Sequence, residues 1–378
     1  MNRFDAAVIG GGAIGSSVAY FLLRERPGLR VAVVEPDPTY ELASTPRASG
    51  GARRLFSCPE NIAMSMFGVD FIRALPEVGW KQGGYLFIVP EAGVATLEAN
   101  WRTQTALGAR VELLDRAGIA RQFPSMNVTD LAAGSWSPDD GWCDPYALLQ
   151  AFRREARALG AEYVIDRVVA LAREGARVQT ASLESGQVLA ADHFVNAAGA
   201  WAGLVGAMAG MLLPIEPLRR FEHYFETPHA IEPLPYVKDL DRLAFRPEGR
   251  GYSGGLVNSD EPRGFNFEVD HDWFETAVWP ALAHRFPAFE AVRCKRTWSG
   301  LYDQCELDGN PIIGNWPARL DNFHVVAGFS GHGMMHAPAA GRAIAELIVH
   351  GEYRTIDLAR LGYARVVANA PYPERGII

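Results

Sequence analysis

The stretch DAAVIGGGAIGSSVAYFLL, residues 5–23, decides the fold class. In it an apolar run ends at a glycine-rich turn, and apolar residues with helical spacing follow at once. A second apolar run, VAVV at 31–34, ends at Glu35, which lies twenty residues after Gly15. This order of strand, helix and strand predicts a Rossmann-type α/β unit.

The glycines of this stretch form a GxGxxG pattern that suits a dinucleotide. Gly10 permits a tight turn, Gly12 lets backbone N–H groups approach a pyrophosphate, and Gly15 lets helix and strand pack closely. Glu35 is placed to accept hydrogen bonds from a ribose hydroxyl. The glycine pattern alone is weak evidence, but the flanking strand and helix supply the context that the chemistry needs. It does not decide between a flavin and a nicotinamide nucleotide.

Composition excludes several classes of function. Of the 378 residues, 48% are hydrophobic and 21% charged, as expected for a globular protein with a full core. The net charge of −8 argues against nucleic acid as the main partner. The cysteines show no CxxC pair and no metal-ligand spacing. The N-terminus shows no secretory leader pattern, so we expect reduced thiols and a cytoplasmic protein.

One uncharged segment is long enough to resemble a membrane span. Residues 193–215 contain no Asp, Glu, Lys or Arg, and the length would permit a transmembrane helix. Alanine and glycine dominate, however, and Pro214 ends the run. The segment therefore favours a buried strand, a tight turn and a short buried helix, with no membrane span.

The rest of the pattern predicts two interleaved domains. From residue 216 to residue 297 prolines and aromatics are dense, and short alternating runs such as FEHYFE predict an antiparallel sheet. We assign residues 1–82, 145–215 and 298–378 to a dinucleotide-binding domain. Residues 83–144 and 216–297 are assigned to a substrate-binding domain that is built on a largely antiparallel β-sheet.

Five stretches together resemble the D-amino-acid oxidase/sarcosine oxidase superfamily of FAD-dependent oxidoreductases. They are VIGGGAIGSSVAYFLL, ASTPRASGGARRLF, VNAAGAWAG, DGNPIIG and GFSGHG, and the resemblance covers essentially the whole chain. Spans such as SGGARRLFSCPENI and EVDHDWFETAVWP look closest to the branch that contains a mitochondrial complex I assembly factor and its bacterial relatives. The resemblance implies an FAD cofactor and oxidation of a small amino acid or amine, without naming the substrate.

The resemblance also implies which residues contact the cofactor. They are Gly10, Gly12, Ala13, Ile14, Gly15, Glu35, Pro36, Thr45, Ala48, Ser49, Gly50, Gly51, Val168, Ala198, Gly199, Trp201, Leu301, Gly331, His332, Gly333 and Met334. A helix that begins near Gly333 would present free N–H groups and a partial positive charge. Such a helix end would favour the negative charge that reduced flavin carries near N1 and the C2 carbonyl.

On the substrate side, relatives hold a substrate carboxylate with arginine, lysine or tyrosine. A guanidinium fork suits a carboxylate, and the candidates are Arg53 and Arg54 after the flavin loop and Arg219 or Arg220 in LRRFEHYFE. Further hydrogen bonds could come from Tyr252, Tyr302, His223 and His332. From these candidates we expect a catalytic set of Arg53, Arg219, Tyr252, Tyr302 and His332.

Two positions depart from monomeric sarcosine oxidases. Those enzymes attach flavin through a cysteine just before a tyrosine, whereas this chain reads Gly300-Leu301-Tyr302, so we expect FAD to be bound non-covalently. They also use a lysine to activate oxygen, and the predicted strand GFNFEVD offers only Asn266. Our hypothesis is that electrons pass to an unknown acceptor other than oxygen, although the sequence leaves both an oxidase and a dehydrogenase open.

Two other functions remain open at this point. The protein could be an assembly or binding protein that keeps FAD as a structural element, with the aromatic-rich stretch 221–298 facing a partner. It could also oxidise a 2-hydroxy acid, because the fold alone does not choose between substrates.

Overall fold

The computed structural model describes residues 2–239 and 243–376. The strands are β1 (Asn2–Ile9), β2 (Val31–Val34), β3 (Gly51–Ala52), β4 (Tyr85–Val89), β5 (Glu112–Asp115), β6 (Ala133–Ser137), β7 (Gly141–Trp142), β8 (Glu162–Val164), β9 (Val168–Glu174), β10 (Arg177–Leu183), β11 (Val188–Asn196), β12 (Ile215–Glu226), β13 (Tyr236–Asp239), β14 (Leu243–Glu248), β15 (Gly251–Leu256), β16 (Arg293–Cys305), β17 (Ile312–Trp316) and β18 (Leu320–Ala327). The α-helices are α1 (Ala13–Glu25), α2 (Ser44–Arg47), α3 (Pro59–Arg73), α4 (Val94–Ala106), α5 (Arg116–Gln122), α6 (Pro145–Ala158), α7 (Ala202–Met208), α8 (Trp279–Arg285), α9 (Gly333–His350) and α10 (Ala364–Val367).

The first sheet brings the two ends of the chain together. Its strand order is β17-β18-β11-β1-β2-β8, and β9 and β10 extend it from β11. Strand β1 runs parallel to both neighbours, with Val8 opposite Val33 of β2 and Val195 of β11. Val8 faces one hydrophobic core and Ala7 faces the other. The sheet is therefore buried on both sides, as its nearly continuous apolar strands predicted.

Helices α1, α3, α6 and α9 cover one face of this sheet. Helix α1 packs against α6 and α9, and α3 packs against α9. On the other face α7 supplies Ala202 and Val205 to the second core. The predicted strand, helix and strand of the first 34 residues are thus confirmed, and the carboxyl ends of β1 and β2 open at the same edge of the sheet.

The second sheet has the order β16-β12-β15-β14-β13-β4-β6-β5 and is antiparallel except where β4 meets β13. The antiparallel prediction is therefore confirmed. One face of the sheet packs against α8 and the π-helical turn Phe274–Val278 that precedes it. The core on that face contains an aromatic cluster of Phe225, Phe245, Phe274, Phe286 and Phe289.

Two details differ from the sequence predictions. Residues 264–270, GFNFEVD, form an irregular loop instead of a strand. The predicted domain boundary at residue 298 falls inside β16, which pairs with β12 from Arg293 to Cys305 and so keeps residues 298–305 in the second sheet. The division into domains otherwise stays a prediction.

Among the described residues, every helix is either too short or too polar to span a lipid bilayer. The uncharged segment 193–215 forms the end of β11, a 3₁₀ turn at Gly199–Trp201 and the short helix α7.

Candidate active site

A continuous cavity of about 500 Å³ runs from the turn after β1 to the inner face of the second sheet. The predicted cofactor residues that line it are Gly10, Gly12, Ala13, Ile14, Glu35, Pro36, Thr45, Ala48, Ser49, Gly50, Gly51, Val168, Ala198, Gly199, Trp201, Leu301, Gly331, Gly333 and Met334. Gly15 and His332 are the two that do not line it. Residues that are distant in sequence therefore meet at one cavity, as the resemblance implied.

The structure gives a different reason for the glycine at each of residues 10, 12 and 15. Gly10 has φ +99°, and a Cβ there would lie 2.5 Å from the carbonyl oxygen of Ala197. A Cβ on Gly15 would lie 1.8 Å from the carbonyl oxygen of Gly10, so this glycine permits the close packing of α1 on β1. A Cβ on Gly12 would meet only Thr45 Oγ1, at 3.8 Å. Packing does not require a glycine at residue 12, and the open space beside it fits a pyrophosphate at the start of α1.

Glu35 closes the nucleotide end of the cavity. Its Oε2 accepts a hydrogen bond from the N–H of Gly11 at 2.8 Å, and its Oε1 accepts one from the N–H of Asp37 at 3.0 Å. Burial raises the pKa of Glu35, and these two hydrogen bonds oppose the increase. Carboxylate lone pairs remain for further donors, which fits the predicted ribose contact.

A buried carboxyl group holds the turn before α9. Asp303 Oδ2 accepts hydrogen bonds from the N–H groups of Gly328, at 2.7 Å, and Phe329, at 3.1 Å. Burial raises the pKa of Asp303 to about 6. Asp303 is a positioning residue, because it orients the turn that carries Gly331 and Gly333 to the cavity wall.

The His332 side chain does not line the cavity. The ring is buried, meets the ring of Phe56 edge-on at 4.9 Å and lies near His336, whereas the neighbouring glycines line the cavity. Its pKa lies well below the usual range because of burial and the nearby charge of Arg53. The backbone of the turn, and not the imidazole, faces the cavity.

The second sheet contributes charged residues to the far end of the cavity. Successive side chains in a strand point to opposite faces, so Tyr236 and Lys238 of β13 face the cavity while Val237 joins the aromatic core. On β12, Arg220 and Glu222 line the cavity. Glu222, Lys238 and Tyr236 are site residues that the sequence motifs did not identify. The available signal was the run YVKD, in which Lys238 directly follows two apolar residues of a short strand.

Arg53 places a buried positive charge in the wall of the cavity. It is 3% exposed, and its guanidinium carbon lies 4.6 Å from the ring centre of Phe56 and 5.5 Å from that of Phe87. Within the described residues, its Nε and Nη2 atoms are buried and have no hydrogen-bond partner. A buried, unpaired cation is costly, so this guanidinium is suited to an anion that enters the cavity.

Lys238 and Glu222 share this end of the cavity with Arg53. Burial and, to a lesser degree, the charge of Arg53 lower the pKa of Lys238 to about 7, and the charge of Glu222 opposes this decrease. Burial raises the pKa of Glu222, whose Oε1 accepts a hydrogen bond from Ser253 Oγ at 2.6 Å. Tyr302 completes this wall, with the guanidinium of Arg220 5.3 Å from its ring centre.

Two further members of the predicted catalytic set lie outside the cavity. Arg219 points away from it and pairs with Glu261 at 2.7 Å, because consecutive residues of β12 face opposite sides. Tyr252 lies opposite Phe225 on the neighbouring strand and stacks on it at 5.8 Å, so it belongs to the aromatic core. Arg53 and Tyr302 are the predicted catalytic residues that the structure brings to the cavity.

Two weaker candidates also have structural partners. Arg54 forms ion pairs with Asp140 and Asp70, both at 2.9 Å. His223 shares a hydrogen bond with Thr297 Oγ1 at 2.9 Å and packs against Phe274. Neither residue lines the cavity.

The structure also corrects the expectation that no lysine lies near the flavin. Asn266 lies in the irregular loop 264–270 and does not line the cavity, whereas Lys238 does. The far end of the cavity, called the chamber below, is lined by Arg53, Arg220, Glu222, Tyr236, Lys238 and Tyr302. A lysine is therefore present in the chamber, on a strand other than the one expected from the sequence. The identity of the electron acceptor stays a prediction.

Because the nucleotide end of the cavity opens directly onto a charged chamber, the molecule has the construction of a nucleotide-dependent oxidoreductase. Comparison with known proteins gives the family. A family model described as FAD dependent oxidoreductase (DAO) matches residues 5–347, and the chain belongs to this family. Its cofactor is FAD.

Three relatives illustrate the range of the family. The chain is 36% identical to FAD-dependent oxidoreductase domain-containing protein 1 of Xenopus laevis, over 100% of this chain and 85% of that protein. It is 28% identical to mitochondrial sarcosine dehydrogenase of Mus musculus, over 92% of this chain and 40% of that protein. The solved structure of L-proline dehydrogenase from P. horikoshii is 27% identical and superposes with a TM-score of 0.89 over 98% of this chain and 100% of that one.

Proposed function

We propose that the protein oxidises the C–N bond of a small amino acid or secondary amine that carries a carboxylate. The observation that carries the proposal is the buried guanidinium of Arg53, a residue that lines the cavity and has two nitrogen atoms without a partner among the described residues. The names of two relatives, a sarcosine dehydrogenase and an L-proline dehydrogenase, support a substrate of this kind.

The residues of the chamber suit such a substrate. Arg53 would bind the carboxylate through a charge-assisted hydrogen-bond pair. Glu222 would attract the positively charged amine, and the aromatic wall would exclude water from the reacting carbon. FAD, when bound, would supply the oxidant for the removal of a hydride from the carbon next to nitrogen.

An anaerobic panel tests the proposal. The purified, FAD-loaded protein is mixed without oxygen with sarcosine, L-proline, dimethylglycine and common amino acids, each beside a matched amine that lacks the carboxylate. We expect at least one carboxylate compound to bleach the yellow flavin band and its matched amine to do so far more slowly. Bleaching by the amines alone, or by no compound, would contradict the proposal.

The alternative role as a binding protein receives little support from the aromatic stretch that motivated it. Phe225, Phe245, Phe274 and Phe289 are each at most 2% exposed and pack on one another. They form the core of the second sheet instead of a surface for a partner. An FAD-loaded protein that no compound of the panel reduces would be the result that favours this role.

Oxidation of a 2-hydroxy acid remains the second candidate, since Arg53 would bind its carboxylate equally well. Glu222 favours the amino acid or amine over the 2-hydroxy acid, because a carboxylate attracts a cationic amine more strongly than a neutral hydroxyl. Adding lactate and other 2-hydroxy acids to the panel decides between them, and faster bleaching by a hydroxy acid would favour this candidate.

A further inference from the structure

We propose that Lys238 accepts the proton of the substrate ammonium group, so that the amine is neutral when its neighbouring carbon is oxidised. The inference rests on the proposed function and assigns a chemical step to a residue that is not part of the nucleotide site. It is carried by the position of Lys238 in the chamber and by the charges that surround it.

The register of β13 places the lysine in the chamber. Lys238 lies opposite Phe87 of β4 on one side and Ala244 of β14 on the other. Its Nζ is 5.7 Å from the ring centre of Tyr236, and the side chain lines the cavity. Asp239, the next residue, points to the opposite face, where it pairs with Arg285 at 2.7 Å. The nearest carboxylate along the strand therefore does not neutralise the lysine.

The groups that face Lys238 come from several elements. Arg53 after β3 and Glu222 on β12 act on its charge, and its own charge acts on the imidazole of His332 before α9. Its Nζ lies beside the ring of Tyr236 on β13, and Tyr85 on β4 and Tyr302 on β16 line the same cavity. Burial raises the pKa of the three phenols and lowers that of His332, so these groups are neutral near pH 7. Arg53 and Glu222 remain as the charges that act on the lysine.

These two charges have opposite effects on the lysine. The cation at Arg53 favours the neutral amine form, and burial of Nζ does the same, whereas Glu222 stabilises the ammonium form that results from proton uptake. The result is a lysine whose pKa lies near neutrality, where a general base is most effective.

The reaction needs such a base. A protonated amine has no lone pair to stabilise the developing positive charge on carbon, so it cannot lose a hydride from that carbon. In the proposed step the ammonium N–H bond breaks and the proton forms an N–H bond on Nζ of Lys238. The electron pair of the broken bond stays on the substrate nitrogen, and the neighbouring C–H bond would then give up its hydrogen with both electrons, for which FAD would be the oxidant.

The first experiment measures the lysine directly and needs no substrate. The chain has three lysines, so protein with ¹³C at lysine Cε gives three NMR signals, and Lys238→Arg identifies one of them. Lys81 and Lys295 are exposed and supply reference signals. In the FAD-loaded protein we expect the Lys238 signal to titrate near pH 7. A Lys238 signal that shows no titration up to pH 9 would overturn the inference, whether or not a substrate is known.

Two variants test the cause of the shift. Glu222→Gln removes an attractive charge and should move the Lys238 midpoint to lower pH, whereas Arg53→Met removes a repulsive charge and should move it to higher pH. Shifts in these opposite directions support the assignment. Shifts in the reverse directions, or none in either variant, would contradict it.

The second experiment measures flavin reduction against pH with the substrate that the panel identifies. In Lys238→Met we expect reduction at pH 7 to slow by about tenfold or more and to recover as pH approaches the pKa of the substrate amine. Lys238→Arg should be as slow, because arginine keeps the charge but does not lose its proton. A fast Lys238→Arg variant, or a defect confined to reoxidation by oxygen, would overturn the proton-accepting role. If the wild type is not reduced by any compound, it is the proposed function that fails, and the NMR titration still decides whether Lys238 can act as a base.

Discussion

Arg53 determines which molecules the chamber can bind. Its guanidinium packs among aromatic rings, and among residues 2–239 and 243–376 it has no carboxylate partner of the kind that Arg54 and Arg365 have. Leaving a cation in such a place costs several kcal/mol in the absence of an anion. The cost is offset when a substrate carboxylate binds, so the residue couples affinity to a particular functional group.

Substitution of Arg53 tests this role. Arg53→Met should weaken substrate binding by roughly ten- to hundredfold, since a hydrogen bond to a charged group contributes about 1.5–3 kcal/mol. Arg53→Lys keeps the charge but loses the planar fork, so its affinity should lie between those of wild type and Arg53→Met. The measurement is the substrate dependence of anaerobic flavin reduction. Equal affinities in all three proteins would show that the carboxylate binds elsewhere.

Asp303 gives a prediction about pH and stability. Its pKa is about 6 in the folded protein, compared with 3.8 for an aspartate side chain that is free in water. Between these two values the folded protein keeps a proton that the unfolded chain has lost, so this carboxyl group favours folding at low pH and loses that contribution as pH rises. In Asp303→Asn the amide oxygen can still accept from Gly328 and Phe329.

The Tm of Asp303→Asn relative to wild type should therefore increase between about pH 4 and pH 7. Thermal unfolding of both FAD-loaded proteins across this range measures the difference. A constant difference in Tm would mean that Asp303 keeps its charge throughout and that burial does not raise its pKa.

At the scale of elements, two glycines of the turn between β1 and α1 have different roles: Gly12 leaves space for the cofactor, and Gly15 allows the helix to pack on the strand. Gly15 is needed for the contact between helix and strand, whereas the position of a Cβ on Gly12 is open except for Thr45 Oγ1. The φ of Gly12, −61°, is also one that any residue can adopt. A side chain at residue 12 would therefore occupy only the space that the pyrophosphate needs.

The matched pair Gly12→Ala and Gly15→Ala follows from this difference. Gly12→Ala should leave the stability of the FAD-free protein unchanged and weaken FAD binding by at least about tenfold, a loss of about 1.4 kcal/mol. Gly15→Ala should lower the stability of the FAD-free protein itself, because its Cβ would collide with backbone. Thermal unfolding without FAD and titration with FAD measure the two effects. An unstable Gly12→Ala protein with normal FAD affinity would contradict the assignment.

How far the sequence predicts the structure also depends on the type of element. The cofactor end was predictable because its contacts come from backbone turns, such as Gly10 and Gly331, whose positions a short motif specifies. The side chains of the chamber wall were not predictable, because a one-residue change of register moves every side chain of a strand to the other face. Arg219 and Tyr252 were assigned to the wrong face for this reason. Lys238 was missed because only the order of the strands brings β13 to the cavity.

At the scale of the whole molecule, the two sheets share one cavity, and the chain crosses between them several times. The segment Gly300-Leu301-Tyr302 contains no cysteine, and Cys305 lies outside the cavity with its Sγ 3.5 Å from Asp308. Burial raises the pKa of Cys305 to about 11, which keeps it a thiol instead of a nucleophilic thiolate.

FAD should therefore be bound without a covalent bond. Acid precipitation of the yellow protein should give a colourless pellet and release the flavin into the supernatant. A pellet that stays yellow after washing would show a covalent bond and would contradict this prediction.

The central claim is that FAD and a substrate carboxylate occupy the two ends of one cavity, with Arg53 holding the carboxylate. A crystal structure of the FAD-loaded protein with acetate, which is not oxidised, tests this claim most directly. The account predicts the dinucleotide along Gly12 and Glu35 and the acetate oxygens within hydrogen-bond distance of Arg53 Nε and Nη2. Acetate bound away from Arg53, or FAD outside the glycine turn, would contradict it.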